Sequence, residues 1–331
     1  MADTSVDKSI RALVVPEHGG RDVLQVQSRP TPEPGPGEVL IAVAAAGVNF
    51  IDVYQRSGVY PIPTPFVLGG EAAGRVLATG EGVTEFAVGD IVATAGASGA
   101  MAEAVVVAAD EVVSVPEGVD AEVAAAAMLQ GMTAHYLVNS TYAVQDGDEV
   151  LIHAAAGGVG QLLVQLVKAK GAHVVATVGA PEKEQIARDL GADEVIRYDE
   201  VDDLAEAVRA ASRGGVQVAY DGVGQATFDA SLAALRPRGM MALFGAASGP
   251  VAPVDPQRLN TSGSLFLTRP ILKNYIATRE ELLWRAGEIL GAIADGSLQI
   301  SIGGRYGLDR AADAYRDLEG RATTGKLLIV P

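Results

Sequence analysis

Asp148-Glu149-Val150-Leu151-Ile152-His153-Ala154-Ala155-Ala156-Gly157-Gly158-Val159-Gly160 is the stretch whose reading decides the rest of the chain. Val150, Leu151 and Ile152 make a short apolar run, the pattern of a strand covered on both faces. A turn of small residues follows, and residues 161–170 continue with helical spacing at Leu162, Val164, Leu166 and Val167. In Ala155-x-Gly157-x-x-Gly160 the two glycines let backbone and helix crowd against a pyrophosphate at the helix N-terminus. Ala155 stands where the usual pattern has its first glycine. A plainer reading is a turn that is glycine-rich for packing alone. A second apolar run at residues 173–178 arrives at the βαβ distance, and this favours a dinucleotide turn.

Downstream, strands and helices alternate: helix at 182–190, strand at 194–198, helix at 201–211, strand at 216–223, helix at 227–235, strands at 240–246 and 264–268. Arg258, Asn260 and Thr261 read as loop residues. Six strands with intervening helices predict an α/β domain built on a doubly wound parallel sheet. Upstream the pattern is different. Strands at 10–15, 24–26, 39–48, 73–79, 91–94 and 104–107, separated by Gly/Asp turns, predict a mainly β, barrel-like module. An alanine-rich helix covers 120–139, with Asp120 as its N-cap. After a helix at 279–295, the segments 300–306, 308–318 and 326–330 read as strand, helix and strand returning to the first module. The expected division is 1–128 (catalytic domain, first part), 129–275 (dinucleotide domain) and 276–331 (catalytic domain, second part).

The chain has 331 residues, 49% of them hydrophobic and 20% charged, enough for two domains with ample core. Residues 1–9 read as a loose leader, with neither the basic region nor the apolar core of a secretory signal. No apolar run reaches membrane-span length. Cysteine is absent, which removes disulfides and thiolate metal ligands and suits a reducing, cytoplasmic setting. With 25 basic against 41 acidic residues, the net charge of −16 repels nucleic acid and anionic membranes. An anionic cofactor must therefore be held by a few local cations.

Several stretches carry a resemblance to a known family: Gly47-Val48-Asn49-Phe50-Ile51-Asp52-Val53-Tyr54-Gln55-Arg56-Ser57-Gly58-Val59-Tyr60-Pro61, Gln130-Gly131-Met132-Thr133-Ala134 and the turn at 153–160. Gly245-Ala246-Ala247-Ser248-Gly249-Pro250, Thr268-Arg269-Pro270 and Leu318-Glu319-Gly320-Arg321-Ala322-Thr323-Thr324-Gly325-Lys326 complete the set. Together they resemble the medium-chain dehydrogenase/reductase superfamily, in its zinc-independent NADPH:quinone oxidoreductase branch, the zeta-crystallin-like proteins. The resemblance implies a GroES-like catalytic domain built from both chain ends, a Rossmann domain, a homodimer, and NADPH in an interdomain cleft. It implies cofactor contacts at Asn49, Tyr54, Thr133, Ala156, Gly157, Gly158, Val159, Gly160, Gly179, Val223, Phe244, Gly245, Ser248, Phe266 and Leu267. It further assigns the 2′-phosphate to Lys183, Tyr198 and Arg321, and gives Arg269 a loop-organising role. Two residues depart from the family pattern: Gly222 where serine is usual, and Met101 where an aromatic is common. Both are expected to reshape the substrate pocket or its surroundings.

Metal divides this superfamily. Its zinc alcohol dehydrogenases have Gly-His-Glu where this chain has Gly69-Gly70-Glu71, and the four histidines here (His18, His135, His153, His173) lack metal-ligand spacing. Without a Lewis acid, the fitting acceptor is already electrophilic: a quinone or an α,β-unsaturated ketone takes hydride into a conjugated system. The expected catalytic groups are Asn49, Tyr54 and Tyr60, as donors toward the developing oxyanion. The plainer reading of the two tyrosines is as half-buried aromatics with satisfied hydroxyls. Asp52 reads as a structural cap or turn residue. Glu182 follows the second strand, where NAD enzymes place a carboxylate, but it falls beyond the strand end and begins a helix. The small-molecule alternative is an enone or 2-alkenal double-bond reductase, with an enoyl-thioester reductase less favoured. The non-enzyme alternative is a structural or RNA-binding zeta-crystallin-like protein.

Overall fold

The computed structural model describes residues 8–320 and 323–331; the first seven residues of the predicted leader, and Arg321, lie outside them. The strands begin β1 (Ser9–Val15), β2 (Gln25–Pro30), β3 (Glu38–Val48), β4 (Phe66–Val67), β5 (Ala72–Thr79), β6 (Ile91–Thr94), β7 (Ala104–Ala108) and β8 (Val112–Ser114). Helix α1 (Phe50–Arg56) follows β3, and α2 (Ala121–Tyr136) follows β8. Next come β9 (Glu149–Ile152), α3 (Gly158–Ala169), β10 (His173–Val178), α4 (Pro181–Asp189), β11 (Glu194–Arg197), α5 (Leu204–Ala211) and β12 (Val216–Asp221). After these lie α6 (Phe228–Ala234), β13 (Leu235–Leu243), α7 (Pro256–Thr261), β14 (Phe266–Thr268) and α8 (Arg279–Ala294). The chain closes with β15 (Ile302–Tyr306), α9 (Ala311–Glu319) and β16 (Lys326–Ile329).

The chain divides into two compact units: Met1–Leu129 together with Thr278–Pro331, and Gln130–Ala277. In the first, β3 is the organising strand. It pairs antiparallel with β5, β7 and β16, inside a seven-stranded sheet ordered β15-β16-β3-β5-β6-β8 with β7 also on β3. Leu13, Ile41, Leu68, Val76, Val105 and Leu327 meet in one core cluster, so the last strand completes a core begun three hundred residues earlier. This is the GroES-like module, and α9 closes it with buried Ala311, Ala314 and Tyr315.

The second unit holds six parallel strands in the order β11-β10-β9-β12-β13-β14, the doubly wound Rossmann arrangement. Val150, Leu151, Ile152, Val174, Val175, Val218 and Ala219 are all fully buried, as strands covered on both faces must be. Asp120 caps α2 by accepting the Glu122 N–H at 2.8 Å. That helix ends in a π-helical turn, Leu137–Thr141, where the Tyr220 hydroxyl donates to the Leu137 carbonyl at 3.0 Å. Ala155 fits the position of the usual first glycine because the left-handed residue of this turn is its neighbour Ala154, at φ 51°. Gly160 is needed for close approach. A Cβ there would strike the Ala154 carbonyl oxygen and lie 2.8 Å from Ala155 Cα.

The sequence reading lacks the short strands β4 and β8, and two further details differ in the second unit. β13 begins at Leu235 rather than near Met240, because Leu235 pairs with Val216 before the register shifts and resumes at Met240 opposite Val218. The excess, Arg236 to Gly239 with Arg238 at φ 62°, has turn chemistry inside a strand. Arg258, Asn260 and Thr261 lie on helix α7, not in a loop; Asp255 caps it by accepting the Gln257 N–H, and Pro256 occupies its first turn. Among the described residues no helix is long and apolar enough to cross a membrane.

Gly160→Ala is expected to destabilise the second unit by about 1–3 kcal/mol, the usual cost of overpacking. Urea unfolding checks it. An unchanged midpoint would mean that the turn has room the geometry denies.

Candidate functional site

The C-terminal rim of the parallel sheet gathers most of the predicted cofactor residues. Ala156, Gly157, Gly158, Val159 and Gly160 form the turn after β9 and open α3, whose N-cap is Gly157. A helix start of this kind leaves several backbone N–H groups without intrahelical partners, at the positive end of the helix dipole. Beyond β10, Gly179 is covered by the Tyr198 ring; an added Cβ would lie 2.5 Å from Tyr198 Cζ. Lys183 stands in the first turn of α4, beside exposed Glu182. Beyond β12 and β13, Val223, Phe244, Gly245 and Ser248 meet: the Ser248 hydroxyl donates to the Val223 carbonyl at 2.7 Å and accepts the Ala226 N–H at 2.9 Å. Thr133, on α2, is buried. Leu267 and Phe266 lie back from the rim on edge strand β14, in register with Met241 and Met240.

The two departures from the family pattern have physical explanations. A Cβ on Gly222 would come within 2.8 Å of the Phe244 ring, so glycine leaves the place this ring occupies. Met101 belongs to the first unit's core; it is fully buried, with its sulfur 3.2 Å from the Tyr315 hydroxyl. Its direct effect is on the packing around Tyr315, whose hydroxyl also reaches Asp52 of α1.

Asn49, Tyr54 and Tyr60 sit at α1 in the first unit. Tyr54 and Tyr60 rings meet edge to face at 5.2 Å, and the Tyr60 N–H donates to the Tyr54 carbonyl at 3.0 Å. Tyr60 is exposed. Asn49, by contrast, is buried and its amide is committed. Its Nδ2 donates to Glu71 Oε1 at 2.7 Å and to the Gly47 carbonyl at 3.2 Å, while its Oδ1 accepts from Lys326 Nζ at 2.7 Å. Lys326 also pairs directly with Glu71, whose Oε2 accepts the Leu129 N–H at 2.7 Å. Asn49 is thus a positioning residue that fixes the start of α1, not an available donor.

Asp52 is the cap the sequence predicts, with a second task. Its Oδ2 accepts the Asn49 N–H at 2.8 Å and the Tyr315 hydroxyl at 2.9 Å, tying α1 to α9. Arg56 repeats the tie by donating to Glu319 at 2.9 Å. Asp52 Oδ1 is buried without a partner. Desolvation raises the Asp52 carboxyl to about 7, against the opposing hydrogen bonds from Asn49 and Tyr315 and the charge of Lys326.

Sequence reasoning missed a second buried polar group, under the cofactor turn. His153 Nδ1 lies 2.7 Å from Thr177 Oγ1, and Nε2 lies 2.8 Å from Ser231 Oγ. Ser231 and Thr227 donate to Asp221 Oδ2 at 2.9 and 2.7 Å, and Asp221 Oδ1 accepts the N–H groups of Val223 and Gly224 at 2.8 and 2.9 Å. The usable signal was polar residues placed at the ends of otherwise apolar strands. A nucleophilic reading of this Ser, His and Asp fails, because the serine lies between the other two and is fully buried. Among the described residues no cluster of three or more His, Cys, Asp or Glu could hold a metal ion.

The native state holds the Asp52 proton up to about pH 7, whereas the unfolded chain releases it near 3.8. The folded state therefore binds more protons in that window, and Asp52's contribution to stability falls as pH rises through it, by about 4 kcal/mol in all. Urea unfolding of Asp52→Asn at several pH values between about 4 and 8 should show a flatter dependence than wild type. Parallel curves would exclude a proton on Asp52.

Two family models match the chain: an alcohol dehydrogenase GroES-like domain over residues 35–117, and a zinc-binding dehydrogenase over residues 158–280. The second segment contains one histidine, His173, and no cysteine. A quinone oxidoreductase from Pseudomonas aeruginosa is 44% identical over 316 residues, covering 95% of this chain and 97% of its own. A 2-haloacrylate reductase from a Burkholderia species is 40% identical, with 97% and 99% covered. A mycobacterial protein solved in complex with NADPH is 50% identical, with a TM-score of 0.95 over 97% of this chain and 100% of that one. With these residues, this sheet order and relatives matched along nearly their whole length, the chain belongs to the quinone oxidoreductase family of the medium-chain dehydrogenase/reductase superfamily.

Proposed function

We propose that this protein is an NADPH-dependent, zinc-independent oxidoreductase that reduces quinones and related conjugated carbonyls. The observation that carries the reading is the rim of the six-stranded sheet. There a turn with no room for a side chain at Gly160 opens the twelve-residue helix α3, Gly179 follows β10 without a carboxylate at the strand end, and Lys183 at the start of α4 and Tyr198 after β11 stand beside it. That set fits a dinucleotide whose ribose carries a phosphate. The mycobacterial neighbour's complex with NADPH supports the same assignment.

Bound NADPH supplies a hydride from its nicotinamide ring to the acceptor. The chain's own residues bind and orient. The first N–H groups of α3 would bind the pyrophosphate, and Lys183 would hold the 2′-phosphate against the repulsive mean charge of the protein. Tyr54 and Tyr60 orient the acceptor and donate to its oxygen, and Asn49, held by Glu71 and Lys326, fixes the helix that carries Tyr54. Zinc independence rests on ligand chemistry: Gly70 replaces the family's imidazole, the chain has no cysteine, and Glu71 is already paired with Lys326.

A second reading, reduction of an activated carbon–carbon double bond, is favoured by the 2-haloacrylate reductase relative. Both acceptors share conjugation to a carbonyl group. A homodimer in a cytoplasmic setting completes the proposal. β14 is one of the two edge strands of its sheet, and Phe266 and Ile271 on and near it are exposed.

The experiment is turnover of chelator-treated protein with NADPH or NADH against quinones, enones and simple aldehydes. Quinone or enone turnover should persist after chelation and favour NADPH. Lys183→Ala should weaken NADPH about tenfold, the equivalent of one charge-assisted contact, and leave NADH unchanged. Activity lost with zinc, or equal weakening of both cofactors, would sink the corresponding assignment.

A further inference from the structure

The buried polar group beneath the glycine turn admits one arrangement of protons. Ser231 has a single hydroxyl hydrogen, and it goes to Asp221 Oδ2. Toward His153 the same oxygen can only accept, so Nε2 carries the ring proton. In a neutral ring Nδ1 is then a lone pair, and the Thr177 hydroxyl must donate to it. Burial keeps the ring neutral by lowering its pKa, against the pull of the Asp221 charge. Hydrogen bonds therefore run in one direction, Thr177 to His153 to Ser231 to Asp221, with every donor used. Asp221 Oδ1 then holds the backbone N–H groups of Val223 and Gly224.

The chain's placement gives it meaning. Thr177 lies in the last turn of pleat of β10, just before Gly179; His153 follows β9 and leads into Ala154 to Gly160; Asp221 ends β12, just before Val223. These three strands are neighbours in the sheet, in the order β10-β9-β12. The ladder of backbone bonds sets their register and reaches the first loop residues, where the His153 N–H donates to the Tyr220 carbonyl and the Ala155 N–H to the Thr177 carbonyl, each at 3.1 Å; the side chains add a second tie at this level. All four side chains are 2% exposed or less, so they act from beneath the loops.

We infer that Thr177, His153, Ser231 and Asp221 are positioning residues for the cofactor: their directed hydrogen-bond chain fixes the spacing of the three loops that meet the dinucleotide. This rests on the NADPH reading and extends it to residues outside the rim.

The test is NADPH affinity and turnover of Thr177→Val, Ser231→Ala and the conservative Thr177→Ser, alongside wild type. Thr177→Val and Ser231→Ala should each raise the NADPH Kd about tenfold, the factor one lost buried hydrogen bond carries, with kcat at saturating NADPH within about twofold. Thr177→Ser, which keeps the hydroxyl, should restore wild-type affinity. Folded variants that bind NADPH as wild type does would overturn the inference while leaving the cofactor reading intact. A wild type that binds no NADPH would remove the cofactor reading, and this inference with it. Should the variants not fold, imidazole ¹⁵N spectra of the wild type decide, with four histidines to assign and His153→Gln to identify the signal. A neutral Nε2–H ring at neutral pH is expected. A protonated ring, or an Nδ1–H tautomer, would contradict the chain.

Discussion

A parallel strand covered on both faces tolerates a polar side chain along its length only where a hydrogen-bond partner is brought to it. In β9, β10 and β12 this constraint pushes the chemistry to the strand ends. Ile152 directly precedes His153, and Tyr220 directly precedes Asp221. Tyr220, the largest exception inside a strand, sends its hydroxyl to the π-helical turn that ends α2. The result is a layered rim: an apolar sheet, a filled layer of Thr177, His153, Ser231 and Asp221, and above it loops with backbone N–H groups and small residues.

The first unit solves the same problem differently. Its polar centre is enclosed by an antiparallel sheet, where β16 lies beside the end of β3 and brings Lys326 to Asn49. A buried ion pair is costly to assemble and costlier to break singly. Here Glu71 accepts from Lys326, Asn49 and the Leu129 backbone, so the pair is embedded in hydrogen bonds. Asp52 stands apart, with one oxygen doubly engaged and the other bare. A proton on that bare oxygen relieves the burial of charge, which is the physical origin of its raised pKa.

Legibility in the sequence followed sequence distance. The apolar runs of β9, β10 and β12 and the glycine turn are local patterns, and they predicted the parallel sheet and its cofactor rim. Asp52 as a cap was equally local. The Asn49–Glu71–Lys326 group was not, since its members are 22 and 277 positions apart and meet only through sheet pairing. The same holds for His153 and Ser231, 78 positions apart. β13 was shortened because its early part, Arg236-Pro237-Arg238-Gly239, has the chemistry of a turn and is held in place by long-range contacts, Leu235 pairing with Val216 and the Arg238 N–H donating to the Gly263 carbonyl at 2.8 Å. Helix α7 was overlooked because six residues are too few for an amphipathic period to show. Gly222 marked a real peculiarity, but only the Phe244 ring above it says what that glycine is for.

The central claim is that the rim of the parallel sheet is built for a phosphorylated dinucleotide. A crystal structure of the protein with NADP⁺ tests it most directly. The pyrophosphate should lie at the N-terminus of α3, over Gly157 to Gly160, and the 2′-phosphate beside Lys183 and the Tyr198 ring. A 2′-phosphate pointing into solvent, or a cofactor seated away from the α3 N-terminus, would contradict the account.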